Sequence, residues 1–131
     1  MSELEIKIYY EDTDCGGVVY HANYLRYCER GRTEYFADRG VSIRDYIKEG
    51  ISFVVSRAEV LYFAPARYGD ILVVQSEIEK MKKVTLVFDQ TIRRKGESTL
   101  LARAKIRLGC INGEGRPSAI PKSVAEVCGF G

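Results

Sequence analysis

Tyr24-Leu25-Arg26-Tyr27-Cys28-Glu29-Arg30-Gly31-Arg32-Thr33-Glu34-Tyr35-Phe36-Ala37-Asp38-Arg39-Gly40 contains no proline, and Tyr24, Cys28, Gly31 and Tyr35 recur at steps of four, three and four. That spacing puts the four on one stripe of an α-helix, with Leu25 and Phe36 beside it. The helical composition runs from about residue 21 to 39, and Gly40 stands where a C-terminal glycine cap belongs. At ~1.5 Å per residue such a helix is somewhat under 30 Å long, about the width of a small domain. Gly31 in the middle of the stripe costs roughly 1 kcal/mol of helix stability against alanine, so another backbone is expected to pack closely there.

On both sides of the helix the pattern changes to the two-residue period of strands. Before it, Leu4, Ile6, Ile8 and Tyr10 alternate with Glu5, Lys7 and Tyr9, a half-buried strand over 4–10 that ends at the turn formers Glu11-Asp12-Thr13-Asp14-Cys15-Gly16-Gly17. After it, Ser42 with Asp45 three residues on forms the start of a short helix that Gly50 ends. Four longer strands follow, over 51–63, 71–80, 84–94 and 100–111. In the third, Val84, Leu86, Phe88 and Ile92 share a face. In the last, Leu100, Ala102, Ala104, Ile106, Leu108 and Cys110 face one way, and Arg103, Lys105 and Arg107 the other. Connections this short make neighbouring strands antiparallel, because a parallel crossover needs a dozen or more residues. The predicted class is α+β, with a five-stranded antiparallel sheet wrapped around one long central helix in a single domain over residues 1–131. Strands of ten or more residues leave an exposed edge, so the chain is expected to form an oligomer.

Bulk composition sets limits on function. The 131 residues suffice for one core, and 46% apolar with 29% charged residues is an ordinary globular balance. A net charge of +2 lacks the concentrated basic excess of a nucleic-acid binder. Charges interrupt every apolar run before the roughly 18 residues of a membrane span. The start Met1-Ser2-Glu3-Leu4-Glu5 is acidic and has no apolar signal region, which places the chain in the cytoplasm as an expectation. The cysteines at 15, 28, 110 and 128 form no C-x-x-C pair, and with a single histidine the ligand supply for zinc is poor. Cys28 and Cys110 are expected in the core. No metal and no cofactor is called for.

The acidic turn before the long helix is the candidate site. A helix start offers unpaired N–H groups and a positive dipole end, which would polarise a docked carbonyl as an oxyanion hole does. Gly16-Gly17 lets backbone approach a ligand, and Asp14 on the same loop supplies a carboxylate that can attack directly or activate water. The plainer role for Asp12 and Asp14 is to cap turns. A calcium loop is excluded by the missing oxygen ligand at its fifth position and the missing glutamate at its twelfth. His21, the only histidine, falls at the helix start.

The stretch Tyr9-Tyr10-Glu11-Asp12-Thr13-Asp14-Cys15-Gly16-Gly17-Val18-Val19-Tyr20-His21-Ala22-Asn23-Tyr24-Leu25, with its D-x-D-x-x-G-x-V-x-x-x-x-Y pattern, resembles the start of hotdog-fold acyl-CoA thioesterases. These are of the 4-hydroxybenzoyl-CoA thioesterase type, in the branch encoded beside the Tol-Pal envelope system. The likeness continues through Glu29, Arg32, Thr33-Glu34, Phe53-Val54-Val55, Tyr62-Phe63-Ala64-Pro65-Ala66-Arg67 and Ile120-Pro121-Lys122-Ser123. The resemblance implies a hotdog fold and hydrolysis of short-chain or aromatic acyl-CoA. It puts Asp14 on the catalytic carboxylate, Tyr10 and His21 on assisting positions, and the backbone N–H of His21 on the amide that polarises the thioester carbonyl. It also implies a homodimer or a dimer of dimers (a homotetramer), with residues near Val55-Ser56-Arg57 of the partner subunit approaching the acyl group. Lys82 and Lys83 fall where some members hold CoA phosphates; a solvated hairpin tip is the other reading. The competing functions are a hotdog dehydratase and a non-catalytic module binding acyl-CoA, acyl carrier protein or phospholipid-synthesis enzymes. No serine lies in a G-x-S-x-G elbow, which removes a serine hydrolase.

Overall fold

The computed structural model describes residues 1–131. The elements in order are β1 (Ser2–Lys7), a 3₁₀ turn (Tyr10–Asp12), α1 (Asn23–Asp38), α2 (Ile43–Lys48), β2 (Ser52–Tyr62), β3 (Ile71–Met81), β4 (Thr85–Arg94), β5 (Leu100–Ile111) and α3 (Lys122–Val127). The strands form one sheet in the order β1-β3-β4-β5-β2, and every neighbouring pair is antiparallel. β1 and β2 are therefore the two edges. No helix is long and apolar enough to cross a membrane.

α1 has sixteen residues against six each in α2 and α3, and it lies on the buried face of the sheet. Its buried side carries Tyr24, Tyr27, Cys28, Gly31, Arg32, Tyr35 and Phe36. The stripe read from the sequence is thus the buried one, except that Tyr27 takes the place given to Leu25, which is exposed. Gly31 explains itself: a Cβ there would stand 2.7 Å from Ser76 Oγ, 2.9 Å from Val74 Cγ1 and 3.1 Å from Gln90 Nε2. Helix and sheet approach so closely at that point that only hydrogen fits. Tyr35 and Phe36 then pack edge-on against Phe88 of β4, at ring-centroid distances of 5.1 and 5.6 Å. Gly40 ends α1 at φ +75°, with the Val41 N–H bonded to the Phe36 carbonyl, and Ser42 Oγ caps α2 by accepting from the Asp45 N–H.

A buried polar cluster sits at this contact. Gln90 Nε2 donates to the Cys28 carbonyl and to Ser76 Oγ, both at 2.8 Å, and Arg32 Nη1 donates to Gln90 Oε1 at 3.2 Å. Burial pulls the Arg32 pKa down and pushes the Cys28 thiol up to about 11, so that thiol stays protonated. Alternation along β4 already places Gln90 inward, but its polarity hides it from a search for apolar residues.

Several expectations are corrected. The first strand ends at Lys7 rather than at residue 10, because Tyr9–Asp12 coil into the 3₁₀ turn and leave Tyr10 78% exposed. A bulge between Ile92 and Arg93 sets two β5 residues against one step of β4. Leu101 therefore turns inward, at 1% exposure, in place of Leu100. α3 is too short to show a period in the sequence; its buried Val124 joins the core.

Candidate active site

The acidic turn folds as a tight hairpin. The Asp14 N–H donates to the Val18 carbonyl at 2.8 Å, the Gly17 N–H to the Asp14 carbonyl at 3.1 Å, and Thr13 bridges Val19. Gly17 takes φ +78°, which favours glycine at the reversal. The Gly16 N–H donates to Asp14 Oδ1 at 2.8 Å, while Oδ2 makes no hydrogen bond to the protein. Asp14 is exposed. Its carboxylate is thus oriented by one oxygen and free at the other.

Upstream, the Tyr9 N–H donates to Asp12 Oδ2 at 2.8 Å, and the Asp12 carbonyl accepts from the Tyr20 N–H and from Asn23 Nδ2, each at 2.9 Å. These bonds tie the loop to the first turn of α1. The Asp12 carboxylate thus caps the 3₁₀ turn, while its backbone carbonyl carries the tie to α1. A second tether comes from the β2–β3 connection, where the Val19 N–H donates to the Ala66 carbonyl at 2.8 Å and Val18 bridges Arg67. That connection is held in turn by Arg94. Its Nε lies 2.9 Å from Asp70 Oδ2, an ion pair that raises the Arg94 pKa, and its Nη2 donates to the Pro65 carbonyl at 2.6 Å.

The start of α1 is open. Ala22 occupies the N-cap position with no side-chain capping bond. The carbonyls of Tyr20 and His21 accept from the Asn23 and Tyr24 N–H groups, at 2.9 and 3.3 Å, but the N–H groups of His21 and Ala22 donate to nothing in the protein. Two amides at the positive end of a sixteen-residue helix are thus available to an oxygen ligand. Beside them is a hollow of about 300 Å³ lined by Val19, His21, Tyr24, Tyr62, Phe63, Ala64 and Pro65. It is mostly apolar, with the His21 imidazole on its wall. Asp14 and Tyr10 do not line it. Tyr10 packs instead near Tyr68, with ring centroids 6.0 Å apart.

The two lysines part company. The Lys82 N–H closes the β3–β4 turn on the Thr85 carbonyl at 2.7 Å. Lys82 joins Arg57, Lys80, Lys105 and Arg107 around a cleft of about 340 Å³ on the outer face of the sheet, which Glu59 and Glu79 also line, Glu79 paired with Lys105. Lys83 is not part of this cleft; its carbonyl accepts from the Ile120 N–H. Lys82 sits at the end of the cleft level with Val54, roughly 25 Å along β2 from Tyr62, where His21 is met. The other end of the cleft, at Glu59, is only about 10 Å from Tyr62 at ~3.3 Å per residue. One chain therefore keeps Lys82 well apart from Asp14 and His21. Tyr62, whose hydroxyl donates to the His21 carbonyl at 3.0 Å, is a neighbour of the helix start that spacing could not reveal, since 41 residues separate the two.

A five-stranded antiparallel sheet with one long helix on its buried face, and a carboxylate loop leading into that helix, is the hotdog class of thioesterase-like proteins. Residues 9–128 match the Thioesterase-like superfamily, and the chain belongs to that family. It is 43% identical over 120 residues to the acyl-CoA thioester hydrolase YbgC of Escherichia coli O6:H1, covering 91% of this chain and 89% of that protein. It is 36% identical to the acyl-CoA thioesterase YbgC of Helicobacter pylori strain 26695, covering 95% and 97%. Among solved structures it resembles a 1,4-dihydroxy-2-naphthoyl-CoA thioesterase from Synechocystis, with TM-score 0.90 and 26% identity over 96% of this chain and 93% of that one.

Proposed function

We propose that the chain hydrolyses acyl-CoA thioesters to a free acid and coenzyme A, with Asp14 as the reacting carboxylate. The supporting observation is the pairing of two unbonded amides at the start of α1 with a carboxylate loop tied to that same start. In this reading the thioester oxygen docks on the His21 and Ala22 N–H groups, which stabilise the negative charge that develops as the carbonyl carbon becomes tetrahedral. The free Oδ2 of Asp14 either attacks that carbon or takes a proton from the water that does. The C–S bond then breaks, and the leaving thiolate is protonated to the CoA thiol. After direct attack the acyl group stays on Asp14 as a mixed anhydride, which water hydrolyses to the free acid and the regenerated carboxylate. His21 and Tyr10 assist, with His21 on the wall of the apolar hollow that receives the acyl end.

The finer points belong to the same proposal. The acyl group is short or aromatic, in keeping with a hollow lined by Tyr24, Tyr62 and Phe63. The sheet curls around α1 as in the hotdog arrangement, residues 1–131 act as one domain, and the chain works in the cytoplasm, in the Tol-Pal-associated branch. A dimer or dimer of dimers explains the distance to Lys82: the basic cleft of one protomer can serve the CoA phosphates of a substrate held by its partner. Incubation with a panel of acyl-CoAs of graded length, with free thiol followed and Asp14→Asn as the blank, tests the activity. Release of thiol by the wild type and not by the blank supports hydrolysis. Binding without release makes the chain an acyl-CoA module instead.

A further inference from the structure

We propose that Tyr62 is a positioning residue for this reaction: from the last position of β2 its hydroxyl holds the His21 carbonyl and so aims the peptide between His21 and Ala22. The proposal rests on the functional reading above but on different observations. The Tyr62 hydroxyl donates to the His21 oxygen at 3.0 Å, nearer than the helix's own bond from the Tyr24 N–H at 3.3 Å. No peptide bond is cis, so the Ala22 N–H points opposite to the His21 carbonyl, and whatever fixes the carbonyl fixes the amide. Ala22 has no side-chain cap, which leaves this phenol as the side-chain tether on that peptide.

The ring is set as firmly as the hydroxyl. It stands edge-on to Tyr24 at 5.3 Å and 80°, and edge-on to His21 at 6.2 Å and 89°. Tyr24 is buried and accepts a bond from the Ala66 N–H at 3.2 Å, so Tyr62 leans on a fixed wall. A phenol is protonated, and so a donor, at neutral pH, and desolvation moves the Tyr62 pKa further up. Yet Tyr62 is 46% exposed and borders the hollow with Val19, Phe63 and Pro65. A side chain so placed contributes little to the core and much to the geometry of the helix start. An amide that must meet an oxyanion rather than a ground-state carbonyl gains most from such restraint.

Tyr62→Phe keeps the ring and removes only the donor. Turnover (kcat) per folded molecule is expected to fall about tenfold, with KM within about twofold and the melting midpoint lower by no more than the few degrees that one lost hydrogen bond costs. The carbonyl-carbon NMR resonance of His21 is expected to shift in the ligand-free protein. A merely structural tyrosine would lower the melting midpoint and leave kcat per folded molecule unchanged, and that result overturns the proposal. If the wild type releases no thiol from any acyl-CoA, the functional reading falls rather than the role of Tyr62. The His21 resonance then decides, and an unmoved signal in Tyr62→Phe overturns it.

Discussion

The Gly31 contact and the Asp14 loop both hold backbone at a fixed place, by opposite means. At Gly31 the helix is pressed onto Ser76, Val74 and Gln90 so tightly that a methyl group does not fit, and the polar atoms there are sealed from water. From Asp12 to Ala22 the chain is largely exposed, and its shape comes from short hydrogen bonds to Asp12, Ala66 and Tyr62. Packing of the first kind cannot be altered without loss of stability, because close-packed interiors have no slack. Hydrogen bonds of the second kind each contribute only about 1 kcal/mol net, so the loop can lose a functional atom while the fold survives. The two regions separate stability from activity, and substitutions can test that separation.

The largest effect is expected from Asp14→Asn. The amide oxygen can still accept from Gly16, so the hairpin stays, but the reacting oxygen is gone. We expect kcat to fall at least ~100-fold with an unchanged melting midpoint. Near wild-type turnover would remove Asp14 from the mechanism. Next comes Gly31→Ala, whose overpacking costs about 1–3 kcal/mol against roughly 1 kcal/mol returned by helix propensity. The midpoint should drop by several degrees while kcat per folded molecule holds, as thermal melts and steady-state kinetics would show. Loss of both together would mean that the helix contact transmits to its N-terminus.

His21→Ala removes the imidazole but keeps the backbone N–H, so its effect should be about tenfold, well short of that at Asp14. Equal losses at the two positions would make the imidazole a full partner in the chemistry. The smallest effect belongs to the lysines. Lys82→Ala should raise KM for CoA thioesters about threefold at low ionic strength, and Lys83→Ala should not, since only Lys82 lines the basic cleft. A thioester analogue lacking the nucleotide should ignore both changes. Equal responses to the two lysines would break the link between the cleft and CoA.

The repeating patterns of the chain were sufficient for the long helix, for the four long strands and for the short helix at Ser42, but not for the 3₁₀ turn or α3. The 4-3-4 stripe identified α1 and its buried side, and the missing Cβ at Gly31 announced a close contact before its partners were known. Two-residue alternation gave the face of β5, and short connections gave antiparallel pairing. The acidic turn with two glycines marked the loop that carries Asp14. Each of these signals is local: the residues that carry it lie within a few positions of one another, and the period of a helix or strand sets them directly.

Only the tertiary structure decided what lies between distant segments. It placed β1 and β2 at opposite edges, turned Leu101 inward through a bulge whose partner is on β4, and closed the cluster of Arg32, Gln90 and Ser76. It separated Lys82 from Lys83, which are adjacent in sequence and differ in surroundings. It also brought the Tyr62 hydroxyl to the His21 carbonyl across 41 residues. No period relates such pairs, because their meeting depends on strand order and register. Those are fixed by the summed burial of the whole core, not by any one stretch of it.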